Sequence, residues 1–290
     1  MIRSQFLVVV ILSLACHDIS AAEPPTKDRT LAKEPAYKTK EPRYCQLVFG
    51  PEAKQSVWLV IDGEDLYVDR NGNGDLTEDG ERVSRKPAFQ GGGFEVRELT
   101  VGEAKTTYSN LVVYWTPQPP NAAKKEFTVE VLVDVNERYC QYAHFKSSAT
   151  APKEAPVIHF GGRLEMILLG GDSPLATPGK EREIVAVIGT KSATGHLATL
   201  RHDRSLSPKA DVHPIAEITF PAKPGAAKPA PVKLTLNERC CNVRFFATLK
   251  TPAEVGAGKT TITLSFPGWD DAKVTPMTKT LAVAESTPEK

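Results

Sequence analysis

The sequence has no surplus of either charge, no apolar run longer than ten residues and no sustained helical stripe, and each absence removes a class of protein. Thirty-six Lys and Arg balance 35 Asp and Glu for a formal charge of +1, so no uniform field gathers nucleic acid or an anionic membrane surface. The longest apolar run, Phe6 to Ala15, is roughly half of what a helix needs to cross a hydrocarbon layer about 30 Å thick. No segment repeats apolar residues at helical spacing between caps, so helices are expected to be few and short.

The usual chemical motifs are missing as well. There is no Cys-x-x-Cys pair for a zinc ribbon or a thioredoxin-type site, no His-Glu-x-x-His beside His196, His202 and His213, and no Gly-x-Ser-x-Gly elbow. Gly256 to Thr260 looks like the tail of a phosphate loop, but Ala253 stands at the first glycine position. The following Thr261 to Leu264 reads as a strand where a helix is needed, so a hairpin loop is expected there. No residue is nominated for catalysis or for an organic cofactor, and a non-catalytic protein is the expectation.

What is present points to export. Arg3, the apolar run and the small residues Ser20, Ala21 and Ala22 form a secretory signal over residues 1–22, with cleavage before Glu23. Lipidation of Cys16 is the alternative route, although Ser13 departs from the usual lipobox. Secretion, or residence in the periplasm or cell envelope, follows from either. Cys45, Cys140, Cys240 and Cys241 remain for the folded part. In an oxidising compartment they allow three disulfide connectivities, and buried free thiols are an equal alternative.

Residues 23–43 carry four Pro, six basic and four acidic side chains, with Leu31 and Tyr37 as the only large apolar ones. That composition predicts a disordered spacer. Beyond it, extended patterns dominate. Phe127, Val129, Val131, Val133 and Val135 alternate with mostly polar neighbours, as do Val232, Leu234 and Leu236, and Ile262, Leu264 and Phe266. The fold class expected is mainly β, in two sandwich-like domains over 44–175 and 181–286, divided at the Gly-rich and Pro-rich stretch 170–179. Pro221 to Pro231 then becomes a loop inside the second domain.

One segment carries more information than the rest. Residues 62–81 hold eight acids against Arg70 alone, a local charge of −7 in a chain of +1. Within it, Asp69, Asn71, Asn73, Asp75 and Thr77 place an oxygen at every second position, with Gly74 sixth and the apolar Leu76 eighth. Calcium takes six to eight oxygen ligands, and a loop that turns alternate side chains inward supplies them from a short stretch.

The segment resembles the calcium loop of EF-hand and dockerin-type proteins. The resemblance covers Asp69 to Glu81 and implies one calcium ion held by Asp69, Asn71, Asn73, Asp75 and Thr77. It departs at the twelfth position, where Gly80 replaces the closing acid. The closing carboxylate is then Asp79, Glu81 or a residue distant in sequence, and Glu81 is taken as the candidate. The entering segment is strand-like, so a helix–loop–helix switch is not expected. Affinity of the extracellular class, on the order of 10⁻⁴ to 10⁻³ M, is the expectation.

The C-terminal stretch from Glu181 resembles the immunoglobulin-like or fibronectin-like sandwiches of secreted bacterial proteins, through Val243 to Phe246, the Gly256 to Lys259 turn, Thr261 to Phe266 and Val274 to Val283. Such sandwiches serve many functions, so the resemblance implies fold and not activity. A structural or adhesive role toward a cell-envelope or extracellular component is expected. The alternative is a carbohydrate-binding module, or an accessory domain of an extracellular hydrolase system, with Trp58, Trp115 and Trp269 as candidate sugar-stacking residues.

Overall fold

The structure, a computed structural model, describes residues 29–86, 93–101, 105–117, 127–135, 139–170, 175–202, 213–240, 244–267 and 273–283. The signal segment, Cys16, Cys241 and Trp269 lie outside them. Among the described residues the chain is mainly β, with strands in antiparallel sheets, one 3-10 turn at Pro152–Glu154 and no α-helix. No helix there is long and apolar enough to cross a membrane.

The first half opens with β1 (Arg43–Phe49), β2 (Gln55–Asp62), β3 (Asp65–Val68) and β4 (Arg82–Ser84), which order as β4-β3-β2-β1 and are completed by β9 (Val157–Phe160) parallel to β1. Between β4 and β9 run the long strands β5 (Gly93–Val101), β6 (Thr106–Pro117), β7 (Phe127–Asp134) and β8 (Tyr139–Ser147), a meander of antiparallel neighbours. The two layers enclose a core that includes Leu47, Leu59, Leu66, Phe94, Leu111, Val131 and Phe160. In β7 the alternation expected from sequence is realised, with Phe127, Val129, Val131 and Val133 buried and the intervening residues half-buried. A half-buried strand repeats every two residues because successive side chains point to opposite faces.

The second half contains β10 (Leu164–Leu168), β11 (Glu181–Lys191), β12 (Leu197–His202), β13 (Ile215–Thr219), β14 (Val232–Thr235), β15 (Asn237–Cys240), β16 (Arg244–Lys250), β17 (Gly258–Ser265), β18 (Val274–Thr275) and β19 (Met277–Val283). A four-stranded sheet, β14-β13-β17-β19, faces β10, β11 and β16 across a second core that includes Met166, Ile184, Phe220, Ile262 and Leu264. The Pro-rich stretch 221–231 connects the paired strands β13 and β14. Gly258 to Ser265 is strand β17, so the phosphate-loop likeness has no helix to support it.

Two expectations from the sequence need correction. The boundary expected at 170–179 falls between β10 and β11, which pair with each other from Glu165↔Gly189 to Leu168↔Ala186. Gly and Pro punctuate a turn between paired strands in the same way as a boundary. The two cores change over instead near Gly161 and Gly162, and even there the halves share hydrogen bonds, because β12 pairs with β8 from Ala198↔Ala143 to His202↔Tyr139. One continuous sheet, β15-β16-β11-β12-β8-β7-β6-β5, therefore runs through both halves.

The second correction concerns residues 29–42, which composition assigns to a spacer. Here they form an arm lying on the outer face of the β1–β4 layer, where Leu31 and Tyr37 pack against Tyr44, Trp58, Val60, Tyr67, Leu76 and Ala155. Two apolar side chains suffice because the sheet supplies the rest of the cluster.

Candidate metal centre

The acidic loop hangs between β3 and β4, and its ends are tied to the sheet. Val68 and Asp69 donate their amides to the carbonyls of Glu81 and Trp58 at 2.9 and 3.0 Å. Arg70 donates its amide to Glu81 Oε1 at 3.1 Å. Leu76 is buried in the outer-face cluster.

The six candidate ligands fall into two groups. Asp69 and Glu81 are buried, at 1% and 2% exposure. Asn71, Asn73, Asp75 and Thr77 lie along the rim. There Asn71 Oδ1 accepts the amide of Asn73 at 3.0 Å, Asn73 Oδ1 that of Asp75 at 2.7 Å, and Asp75 Oδ1 that of Thr77 at 2.9 Å. Thr77 Oγ1 also donates to Asp75 Oδ1 at 2.6 Å. These turns satisfy the backbone locally and curl the loop around its own centre.

Glu78, not nominated from sequence, holds the rim together. Asn71 Nδ2 donates to its Oε2 at 2.6 Å and Asn73 Nδ2 to its Oε1 at 3.1 Å. Its spacing from the two asparagines was visible, but nothing in the spacing marked it as their acceptor. Asp79 is exposed, which leaves Glu81 as the carboxylate turned inward, one position later than the twelfth. The extra residue is Gly80 at φ +86°, a backbone conformation that glycine adopts without penalty.

The electrostatics of the buried pair are unbalanced. Asp69 Oδ1 and Glu81 Oε2 are buried with no hydrogen-bond partner, and no ion pair reaches either carboxylate among the described residues. Arg70, the only base of the loop, is committed elsewhere, donating to the carbonyls of Gly80, Glu98 and Val96. Burial raises the Glu81 carboxyl to about 7; the Arg70 amide opposes this, and the charges of Asp69, Glu78 and Asp75 add to it. Burial also raises the Asp69 carboxyl, against the pull of backbone groups at Gly74, Gly72, Trp58 and Asn73. Two buried carboxylate oxygens without a partner cost several kcal/mol unless a proton or a cation supplies the missing charge.

Among the described residues no three His, Cys, Asp or Glu converge into a metal-holding group. The oxygens of the loop are those of two buried carboxylates and of the exposed or half-buried Asn71, Asn73, Asp75 and Thr77.

The remaining sequence candidates are dispersed. His159 Nε2 lies 2.6 Å from the Gly50 carbonyl and His196 Nδ1 lies 2.9 Å from Thr194 Oγ1, each occupied within its own strand surroundings. Cys45 is a buried thiol, held protonated by its burial. Cys140 Sγ donates to the Arg201 carbonyl at 3.5 Å. Trp58 is 3% exposed in the outer-face cluster, and Trp115 packs edge-on against Phe127. Compared with known proteins, the chain matches no family model and no curated sequence.

Proposed function

We propose that this is an exported, non-catalytic structural or adhesive protein, acting on a cell-envelope or extracellular component, whose loop 69–81 holds one calcium ion. The observation that carries the calcium reading is the pair of buried, unpartnered oxygens, Asp69 Oδ1 and Glu81 Oε2, inside a loop whose single base is turned away. Asp69 and Glu81 supply the charge, the oxygens of Asn71, Asn73 and Thr77 the neutral donors, and Asp75 its carbonyl. The ion does structural work: it neutralises a charge pair that the fold buries. Among the described residues Trp58 is enclosed and Trp115 packs on Phe127, so these two candidates support the structural role over glycan binding.

Titration calorimetry of the intact protein with calcium chloride tests the reading. One site per chain, with dissociation on the order of 10⁻⁴ to 10⁻³ M and a melting temperature lowered by chelator, is the expected result. No heat and no change on chelation would overturn it.

A further inference from the structure

The arm at residues 31–39 touches the candidate cation loop through backbone, and it does so at the loop's central turn. Ala32 and Lys33 both donate their amides to the Gly74 carbonyl, at 2.9 and 3.1 Å, and Leu76 donates its amide to the Lys33 carbonyl at 3.0 Å. Lys33 and Asp75 thereby form a parallel bridge. Gly74 permits the approach: its φ is +79°, and a Cβ there would stand 3.1 Å from the Ala32 nitrogen. The groups that hold the arm, Gly74 and Leu76, thus interleave with two of the groups expected to hold the ion, Asn73 and Asp75.

The arm has a second anchor that does not involve the loop. Lys38 and Thr39 donate their amides to the two oxygens of Asp62 at 2.6 and 2.8 Å, and Thr39 Oγ1 adds a third bond at 2.6 Å. Between the anchors, Glu34 Oε2 accepts the hydroxyls of Tyr37 and Tyr44, and the Tyr37 ring stands edge-on to Tyr44 and Tyr67. One end of the arm is fixed to the sheet by a buried carboxylate. The other end is held at the turn around Gly74, with Leu31 packed on the outer-face cluster and Lys33 Nζ 3.6 Å from Asp75 Oδ2.

We infer that cation occupancy of the loop and docking of the arm's N-terminal half, residues 31–34, are one coupled equilibrium, in which the ion latches the arm over the apolar face around Trp58 and Leu76. The inference rests on the calcium reading of the loop. A bound ion fixes the Asn73 side chain and the Asp75 carbonyl, and so fixes the Gly74 carbonyl and the Leu76 amide that lie beside them. Without the ion, repulsion between Asp69 and Glu81 loosens the turn and releases residues 31–34, while Lys38 and Thr39 stay on Asp62. Coupling is reciprocal: whatever weakens the arm must weaken the ion by the same factor.

Amide hydrogen exchange on the intact protein, in calcium chloride and in chelator, separates the outcomes. The amides of Ala32, Lys33 and Leu76 are expected to exchange about tenfold or more slowly with calcium, and those of Lys38 and Thr39 to stay within about twofold. In the reciprocal experiment, the uncharged double substitution Leu31→Ser with Ala32→Pro is expected to weaken calcium about fivefold or more, the lower end of typical couplings. It removes one apolar contact and one donor and leaves every candidate ligand in place. Calcium heat with unchanged exchange at Ala32, Lys33 and Leu76, or with equal slowing at Lys38 and Thr39, overturns the latch and leaves the calcium site standing. Absence of calcium heat overturns both. Since the wild-type measurement needs no variant, a poorly folding double mutant does not remove the test.

Discussion

Glu81 Oε1 accepts the amide of Arg70 at 3.1 Å, while Oε2 of the same carboxylate is buried with no partner at all. Half of the group is built into the loop, and the other half has no hydrogen-bond partner. On the proposed calcium reading, protons and calcium are expected to compete for it.

In chelator, stability is expected to fall as the pH rises from about 5 to about 8. A carboxyl whose pKa is higher folded than unfolded binds more protons in the folded state, so its contribution is complete below the ordinary glutamate value of 4.5 and is lost as the pH passes through about 7. Asp69, also raised, adds in the same direction. Saturating calcium should flatten or reverse the slope. Melting temperature against pH, with and without calcium, checks the sign.

Glu81→Gln and Asp69→Asn remove the buried charge and keep the shape. In chelator each is expected to melt no lower than wild type, since the repulsion is gone. Both should lose the calcium-dependent rise, which for wild type is about 2.7 kcal/mol at a hundred times the dissociation constant. A calcium shift retained by both variants in thermal melts argues against these ligands.

Gly74→Ala places a side chain at φ +79° and 3.1 Å from the Ala32 nitrogen. A loss of roughly 1 to 2 kcal/mol is expected from the left-handed backbone alone. Urea unfolding measures it, and a change below about 0.5 kcal/mol would show that the turn relaxes freely.

Phe160→Ala tests the first core. Phe160 is fully buried on β9, stacked on Phe49 at 5.9 Å between ring centroids. A loss of about 3 to 5 kcal/mol is expected for such a truncation. The denaturant midpoint should drop with little change in slope.

How much of this could be read from sequence depended on the range of the interaction that wrote the signal. β7 was legible because a two-residue period is local; the alternate oxygens from Asp69 to Thr77 are a local pattern too, and their role as ligands is the proposal made above. Glu81 was open among three possibilities, because Gly80 inserts one residue and only the folded loop shows which acid turns inward. The arm was misread as a spacer because its partners, Asp62, Gly74 and Trp58, lie far from it in sequence, and Pro35, Pro42 and the many charges disguise a segment docked by two apolar side chains. The boundary read at 170–179 falls between the paired strands β10 and β11, because Gly and Pro mark connections within a sheet and between domains alike.

The pairing of β12 with β8 has a mechanical consequence. A pull that separates the two halves of the chain cannot simply straighten a tether at Gly161 and Gly162. It must also break the antiparallel ladder between Tyr139–Ala143 and Ala198–His202. Tension applied on either side of Gly161 and Gly162 is thus shared between the chain and that ladder.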